Sequence, residues 1–352
     1  MNFSLEKPSL YAQMYSCENL ELAFKKACKG KTFMPYVVEF EKNLQNNLLA
    51  LRAELLFNSY APKHLTTFII KDPKTRRIDK SDFRDRIVHH ALCNVIEPLF
   101  DKTFIYDSYA NRIGKGTLKA IQRFDQFKRI VSKNNTCPCY VLKADIKHYF
   151  ENVDHKKLLE IIKRKISDSQ LLVLIKKVIL NYHNSHAGKG MPLGNLTSQF
   201  FANVYLNELD QFIKHRLKAK YYLRYVDDFV LLHKSSKQLL IWKINISKFL
   251  QKELFIELHP QKSSIRPLAK GIDLLGFTCF YYHRILRKRN LLKMLRRIES
   301  FKEKYRQGFI ESYEILASFQ GWNAYAIHAN TYKIRRFITK KVFAIFSKTQ
   351  LV

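Results

Sequence analysis

Asp227 and Asp228 stand side by side in YLRYVDDFVLL (222–232), a run whose other members are mostly aromatic, aliphatic or β-branched. Such residues favour a buried strand. Two adjacent carboxylates within it are costly unless positive charge lies against them. Asp145 ends a third apolar run, CYVLKADI (139–146). Three carboxylates gathered in a half-buried pocket repel one another unless divalent cations fill the space. Mg2+ suits such oxygen ligands, and two ions can activate an attacking oxygen and steady a leaving one in phosphoryl or nucleotidyl transfer. An isolated Asp-Asp is most often a solvated turn; the apolar flanks and the third aspartate set this one apart.

The elements that place these acids must be read from changes of pattern, because no repeat, low-complexity segment or Pro/Gly/Ser-rich linker marks a boundary. Residues 16–58 carry helical spacing, as in Leu44, Leu48, Leu51 and Leu55. Alternation around TTFIIKDPKTRRID (66–79) predicts a hairpin with Asp72-Pro73 and basic residues in its turn. A helix follows, with Ser81 or Asp82 as its cap. Further along come a strand over 139–146, helices over 155–180 and a long helix over 196–217. Then follow the strand–turn–strand at 222–232, a helix over 236–252, and a strand pair through FIELHP and DLLGFTCFYY. The tail from about 284 reads as helical. Strands and helices without βαβ alternation predict an α+β core flanked by helical regions.

The 352 residues, 47% hydrophobic, suffice for a sizeable core and more than one subdomain. No uninterrupted apolar stretch approaches the ~18 residues of a membrane span, since Lys176 and Lys177 break LLVLIKKVIL. MNFSLEKPSL lacks a basic segment followed by an apolar one, so a cytoplasmic, membrane-free protein is expected. Six cysteines form no CxxC pair, and neither they nor His89, His90, His183, His186 and His259 give zinc-ligand spacing. The 62 Lys and Arg against 30 Asp and Glu leave +32, a balance that points to a polyanion, most commonly nucleic acid. Genome base bias or a membrane-surface role would give a similar composition.

Tyr225-Val226-Asp227-Asp228 resembles the YxDD box of reverse transcriptases, and ADIKHYF (144–150) resembles their first catalytic motif. GMPLGNLTSQ (190–199) is similar to the loop-and-helix motif between them. DPKTRRIDKSDFRDRIVHHAL (72–92) resembles the fingers motifs, HPQKSSI (259–265) the fourth palm motif and LLGF (274–277) the fifth. All stand in the family's order across about residues 65–280. LGNxxSQ, with Leu193 where Gln is common, is most like the reverse transcriptases of diversity-generating retroelements; antiphage-defence and other orphan enzymes are the alternatives.

The resemblance implies a right-hand polymerase. It would have an N-terminal helical extension (1–60), fingers (61–138), a palm (139–280, with a helical insertion at about 155–190) and a helical basic thumb (281–352). Asp145, Asp227 and Asp228 would hold two Mg2+ ions, or Mn2+, with help from the Ile146 carbonyl and with a partly structural share for Asp228. Lys262 would protonate the leaving pyrophosphate. Lys71 and an arginine, Arg77 being preferred over Arg76, would grip the dNTP triphosphate. Phe150 would exclude a 2′-hydroxyl, against the plain alternative of a core aromatic. Leu193, Gly194, Asn195 and Gln199 would lie against the nascent base pair, and Leu193 would loosen base selection. The tail RILRKRNLLKMLRRIESFKEKYR (284–306), with ten Lys/Arg and two Glu, would grip primer–template phosphates or simply be a solvated face. The implied partners are an RNA template, a DNA or RNA primer and a small basic accessory protein. A non-catalytic RNA-binding protein with a polymerase fold, or template-independent synthesis, remain the rival functions.

Overall fold

A computed structural model describes residues 8–71, 75–182 and 187–347. Ser9 and Ser16 cap α1 (Leu10–Met14) and α2 (Cys17–Cys28), their hydroxyls accepting from the main-chain N–H of Ala12 and Asn19. The helical spacing over 16–58 is interrupted twice: beyond Gly30, at φ +71°, lies α3 (Pro35–Glu41), and after Asn43 comes α4 (Leu44–Leu56). The basic hairpin pairs β1 (Thr66–Ile70) with β2 (Arg76–Lys80), from Thr66↔Lys80 to Ile70↔Arg76. Its expected turn residues Asp72 and Pro73, like His183 and His186, fall outside the described residues. Asp82 caps α5 (Phe83–Asp101) by accepting from the Arg84 N–H. Ser81 instead bonds Asn195.

α6 (Thr117–Val131), β3 (Tyr140–Ala144), α7 (Tyr149–Asn152), α8 (His155–Lys163) and α9 (Ser169–Leu180) follow. α10 (Leu196–Gln211) continues into one π-helical turn, Phe212–Arg216. Next are β4 (Tyr222–Tyr225), β5 (Asp228–His233) and α11 (Ser236–Leu254). Two sequence expectations then need correction. FIELHP forms no strand but a single bridge, Ile146↔Leu258, and the strand comes later as β6 (Ser264–Pro267). Phe255 turns into the left-handed region, at φ +53°, directly after α11, which breaks the extended run. After β7 (Ile272–Leu274) and β8 (Phe277–Cys279), residues Arg284–Leu286 form β9 on β8 instead of starting the tail helix. Helices α12 (Lys288–Arg306), α13 (Ser312–Ala326) and α14 (Tyr332–Ser347) are the last elements among the described residues. Among the described residues the strands form a hairpin, a four-stranded sheet in the order β4-β5-β3-β6, and a three-stranded sheet β7-β8-β9.

The chain divides into two compact units. The first comprises Met1–Gly116, Ala144–Val230 and Ile241–Ser263. Its α5 is buried along Ile87, Val88, Ala91, Leu92 and Ile96 and packs against α2 and α10. The second comprises Thr117–Lys143, Leu231–Leu240 and Ser264–Val352. There α12–α14 close over an apolar cluster of Met294, Ile298, Ile315, Ile338, Val342 and Ile345. Each such side chain contributes about 1.5–3 kcal/mol by leaving water. Gly276, at φ +93°, lies directly under the Tyr325 hydroxyl, where a Cβ would collide with that oxygen. The Tyr325 ring packs 4.6 Å from Phe277.

Candidate active site

Only two residues, Val226 and Asp227, connect β4 to β5. Val226 has φ +55°, and it alone of the pair is positive. A positive φ at the first position of a two-residue hairpin turn normally belongs to Gly. A β-branched residue there costs on the order of 1–3 kcal/mol and persists only where its surroundings enforce it. Behind the turn, Arg224 is fully buried in a pair with Asp210, also fully buried, at 2.6 Å. Arg224 Nη1 also donates to the Val226 carbonyl at 3.1 Å.

Asp145 leaves β3 into a short antiparallel register with the segment after α11. The Lys147 N–H donates to Glu257 O at 2.8 Å and the His259 N–H to Asp145 O at 2.7 Å. These two bonds flank the Ile146↔Leu258 bridge and leave the Ile146 carbonyl out of it. The Ser263 hydroxyl lies 3.3 Å from Asp145 O, and Lys262 Nζ sits 3.1 Å from Asp145 Oδ1. Burial, then the charges of Asp228 and Asp145, push the Asp227 carboxyl up to about 6, against the pull of Lys262. Asp145, Asp227, Asp228 and Lys262 are therefore brought together. Crowded donors that are all oxygen fit a hard divalent cation. Among the described residues no three acidic, His or Cys side chains stand in ready ligating geometry, and the cation seated on Asp145 is the Lys262 ammonium. The fit lies in the chemistry of the donors.

The loop between α9 and α10 joins the other expected residues. The Met191 N–H donates to Phe150 O at 2.7 Å, and half-buried Phe150 meets Tyr149 edge-on. Leu193 O accepts from the Asp79 N–H at 3.1 Å. Gly194, at φ +111°, has no room for a side chain, because a Cβ would stand 2.8 Å from Ile78 Cγ2. Asn195 is buried, its amide spent on Ser81 and the Asp79 carbonyl, so it ties the loop to β2 and does not face a ligand. Gln199 is exposed and opens into a cleft of about 670 Å³, alongside Asn111, Arg112 and Phe200. In the hairpin, Arg77 Nε donates to buried Asp79 at 2.9 Å. Strand alternation puts Arg76 on the opposite face, the face of Ile78 and Gly194. Lys71 is exposed at the end of β1.

Residues 69–279 match the family model described as reverse transcriptase (RNA-dependent DNA polymerase). The chain belongs to the reverse transcriptase family. It is 26% identical over 311 residues to protein YkfC of Escherichia coli, covering 77% of this chain and 80% of that one. To the group II intron-encoded protein LtrA of Lactococcus lactis it is 25% identical over 276 residues, covering 58% of this chain and less than half, 44%, of LtrA. A solved apo telomerase from Candida tropicalis, truncated from the C-terminal domain, superposes with TM-score 0.50 at 14% identity, over 68% of this chain and 60% of that one. This reverse transcriptase is thus an RNA-directed DNA polymerase of the α+β right-hand fold, from a family that generally uses divalent metal ions and dNTPs. No helix among its described residues is long and apolar enough to cross a membrane.

No sequence motif marks Arg224, Asp210, Asn203 and Ser108, which meet behind the reverse transcriptase turn. One signal for the first stood in the open: an arginine inside an apolar strand, two residues from the turn, must find a buried carboxylate.

Proposed function

We propose that this reverse transcriptase extends a primer 3′ end on an RNA template at the Asp145–Asp227 centre, using two Mg2+ ions, with Mn2+ as a substitute. The observation that carries the reading is the meeting of the half-buried acids Asp227 and Asp145, the latter with Lys262 Nζ at 3.1 Å; burial and the neighbouring acids also push the Asp227 carboxyl up to about 6. Asp145, Asp227 and the Ile146 carbonyl would hold the ions, with Asp228 a partly structural third carboxylate. Bound there, the ions would activate the 3′-oxygen and neutralise charge on the triphosphate. Lys262 leaves Asp145 to give a proton to the departing pyrophosphate. Phe150 lies under the sugar and rejects a 2′-hydroxyl. Lys71 and the hairpin arginines hold the triphosphate; Arg76 is the better placed, since Arg77 is partly neutralised by Asp79. The regions 1–60, 61–138, 139–280 and 281–352 serve as extension, fingers, palm and thumb. The α12 face of the thumb grips nucleic-acid phosphates.

At the finer level we propose the polymerase of a diversity-generating retroelement, copying a template-repeat RNA with a small basic accessory protein. Support comes from apolar Leu193 beside Gly194, which removes a polar restraint on the nascent pair. The intron-encoded relative LtrA favours a second reading, an intron-type enzyme. Primer extension by purified protein, with and without RNA, tests the first level; product formed equally without RNA would overturn it. Sequencing the products tests the second. Frequent errors opposite template adenines that fall in Leu193→Gln support the retroelement reading, and an even, unchanged error spectrum favours the intron reading.

A further inference from the structure

An arginine side chain carries five N–H donors in a rigid fork. All five of Arg224 are engaged. Nε and one Nη2 hydrogen grip Asp210 at 2.8 and 2.6 Å, the other Nη2 hydrogen goes to the Ser108 hydroxyl at 3.2 Å, and one Nη1 hydrogen goes to Asn203 Oδ1 at 3.1 Å. The fifth reaches the Val226 carbonyl at 3.1 Å. The anchors are themselves fixed: Tyr222 donates its hydroxyl to Asp210 at 2.6 Å, and Asn203 donates to the Ala110 carbonyl at 2.9 Å. The Arg224 backbone is held as well, its N–H by Asp107 O and its carbonyl by the Tyr109 N–H, both at 2.9 Å. Four donors therefore fasten the guanidinium to rigid surroundings, and the remaining one fastens the turn to the guanidinium. That turn contains the left-handed Val226 immediately before Asp227.

We infer that Arg224 is a positioning residue for catalysis: through Asp210, Asn203 and Ser108 it holds the strained Val226 turn so that Asp227 projects toward Asp145. A fully buried Arg–Asp pair would serve core stability equally well anywhere in the unit. What singles this one out is the bond to the carbonyl of a β-branched residue at positive φ. Lysine cannot replace it, because a single ammonium has no fork that spans Asp210 and Val226. The inference rests on the reading of Asp227 as a metal ligand.

The test uses full-length protein, with Mn2+ binding measured by electron paramagnetic resonance beside steady-state primer extension. Arg224→Lys should bind Mn2+ about tenfold more weakly and lose about tenfold or more in kcat, as expected of a small misplacement of reacting groups. Its KM for dNTP should stay within about twofold. Adding Val226→Gly lets the turn adopt its conformation unaided and should restore most of the Mn2+ affinity. If Arg224→Lys fails to fold, Asn203→Ala, which frees one Nη1 hydrogen but keeps the Asp210 pair, should lower both Mn2+ affinity and kcat by about threefold. Mn2+ affinity and kcat unchanged in the folded variant, or no restoration by Val226→Gly, would overturn the inference. Asp227→Asn is the reference: if it binds Mn2+ as the unaltered protein does, the metal reading falls, and this inference with it.

Discussion

Arg224 pairs with Asp210 behind the Asp227 turn and Lys262 pairs with Asp145, on opposite terms. Arg224 and Asp210 are both without exposure, whereas the Lys262 side chain is 46% exposed over an Asp145 that is 15% exposed. Removing one partner of a buried pair leaves an uncompensated charge and costs about 3–5 kcal/mol. An open pair contributes roughly 0–1 kcal/mol and exchanges readily with other ions. The difference separates two tasks that positive charge performs near buried acids. Behind the turn the charge is locked into a buried pair; at Asp145 it sits in an open pair that can exchange with other ions.

The largest test of that contrast removes a front acid. Asp227→Asn or Asp145→Asn should lower primer extension by about a thousandfold or more, the scale of losing a principal catalytic group. The metal-free Asp227→Asn protein should nevertheless melt higher at neutral pH. With its pKa raised to about 6 from an ordinary 3.8, folded Asp227 binds more protons than the unfolded chain between those values. Its ionisation therefore lowers stability as pH rises from about 4 to 6, by up to roughly 3 kcal/mol above that window. Calorimetry should show the advantage of the variant vanish below about pH 4. An equal or lower melting temperature at pH 7.5 would contradict the burial of the acid.

Lys262→Met should reduce kcat about ten- to a hundredfold by removing the proposed proton donor. It should also tighten Mn2+ binding severalfold, because no ammonium competes for Asp145; weaker binding would mean that Lys262 is not a stand-in. The pH profile gives a third handle. Activity should fall about tenfold per unit on the acid side as Asp227 protonates, and added Mg2+ should move that limb to lower pH. A limb fixed against Mg2+ would detach Asp227 from the metal. Smallest in its effect on rate, Phe150→Val should leave dNTP turnover nearly intact while cutting discrimination against ribonucleotides about tenfold or more. Competition assays with paired dNTP and rNTP substrates measure it, and an unchanged ratio returns Phe150 to the core.

How much of this was written in the sequence depends on the range of the force involved. The proximity of Asp145, Asp227 and Asp228 was legible because acids inside apolar runs demand compensation whatever the fold. Gly194 was expected to lie close to the base pair; what the structure places against it is Ile78. Asn195 looked like a ligand-facing amide, but its partners lie 114 and 116 residues away, beyond any local pattern. The Arg224 fork was hidden for the same reason, with Ser108 on its rim 116 residues distant. FIELHP misled because its composition suits a strand, while the left-handed Phe255 and the two bonds around Ile146 bend it to the acids instead.

Tyr325 over Gly276 bears on how this polypeptide would respond to a protease. The turn at 307–311, with Phe309 77% exposed, is an inviting site for a cut between α12 and α13. The fragments should nonetheless travel together through a sizing column, since α13 stays hooked to the Leu275–Phe277 bend by its tyrosine and stays seated on the Met294–Ile315 cluster.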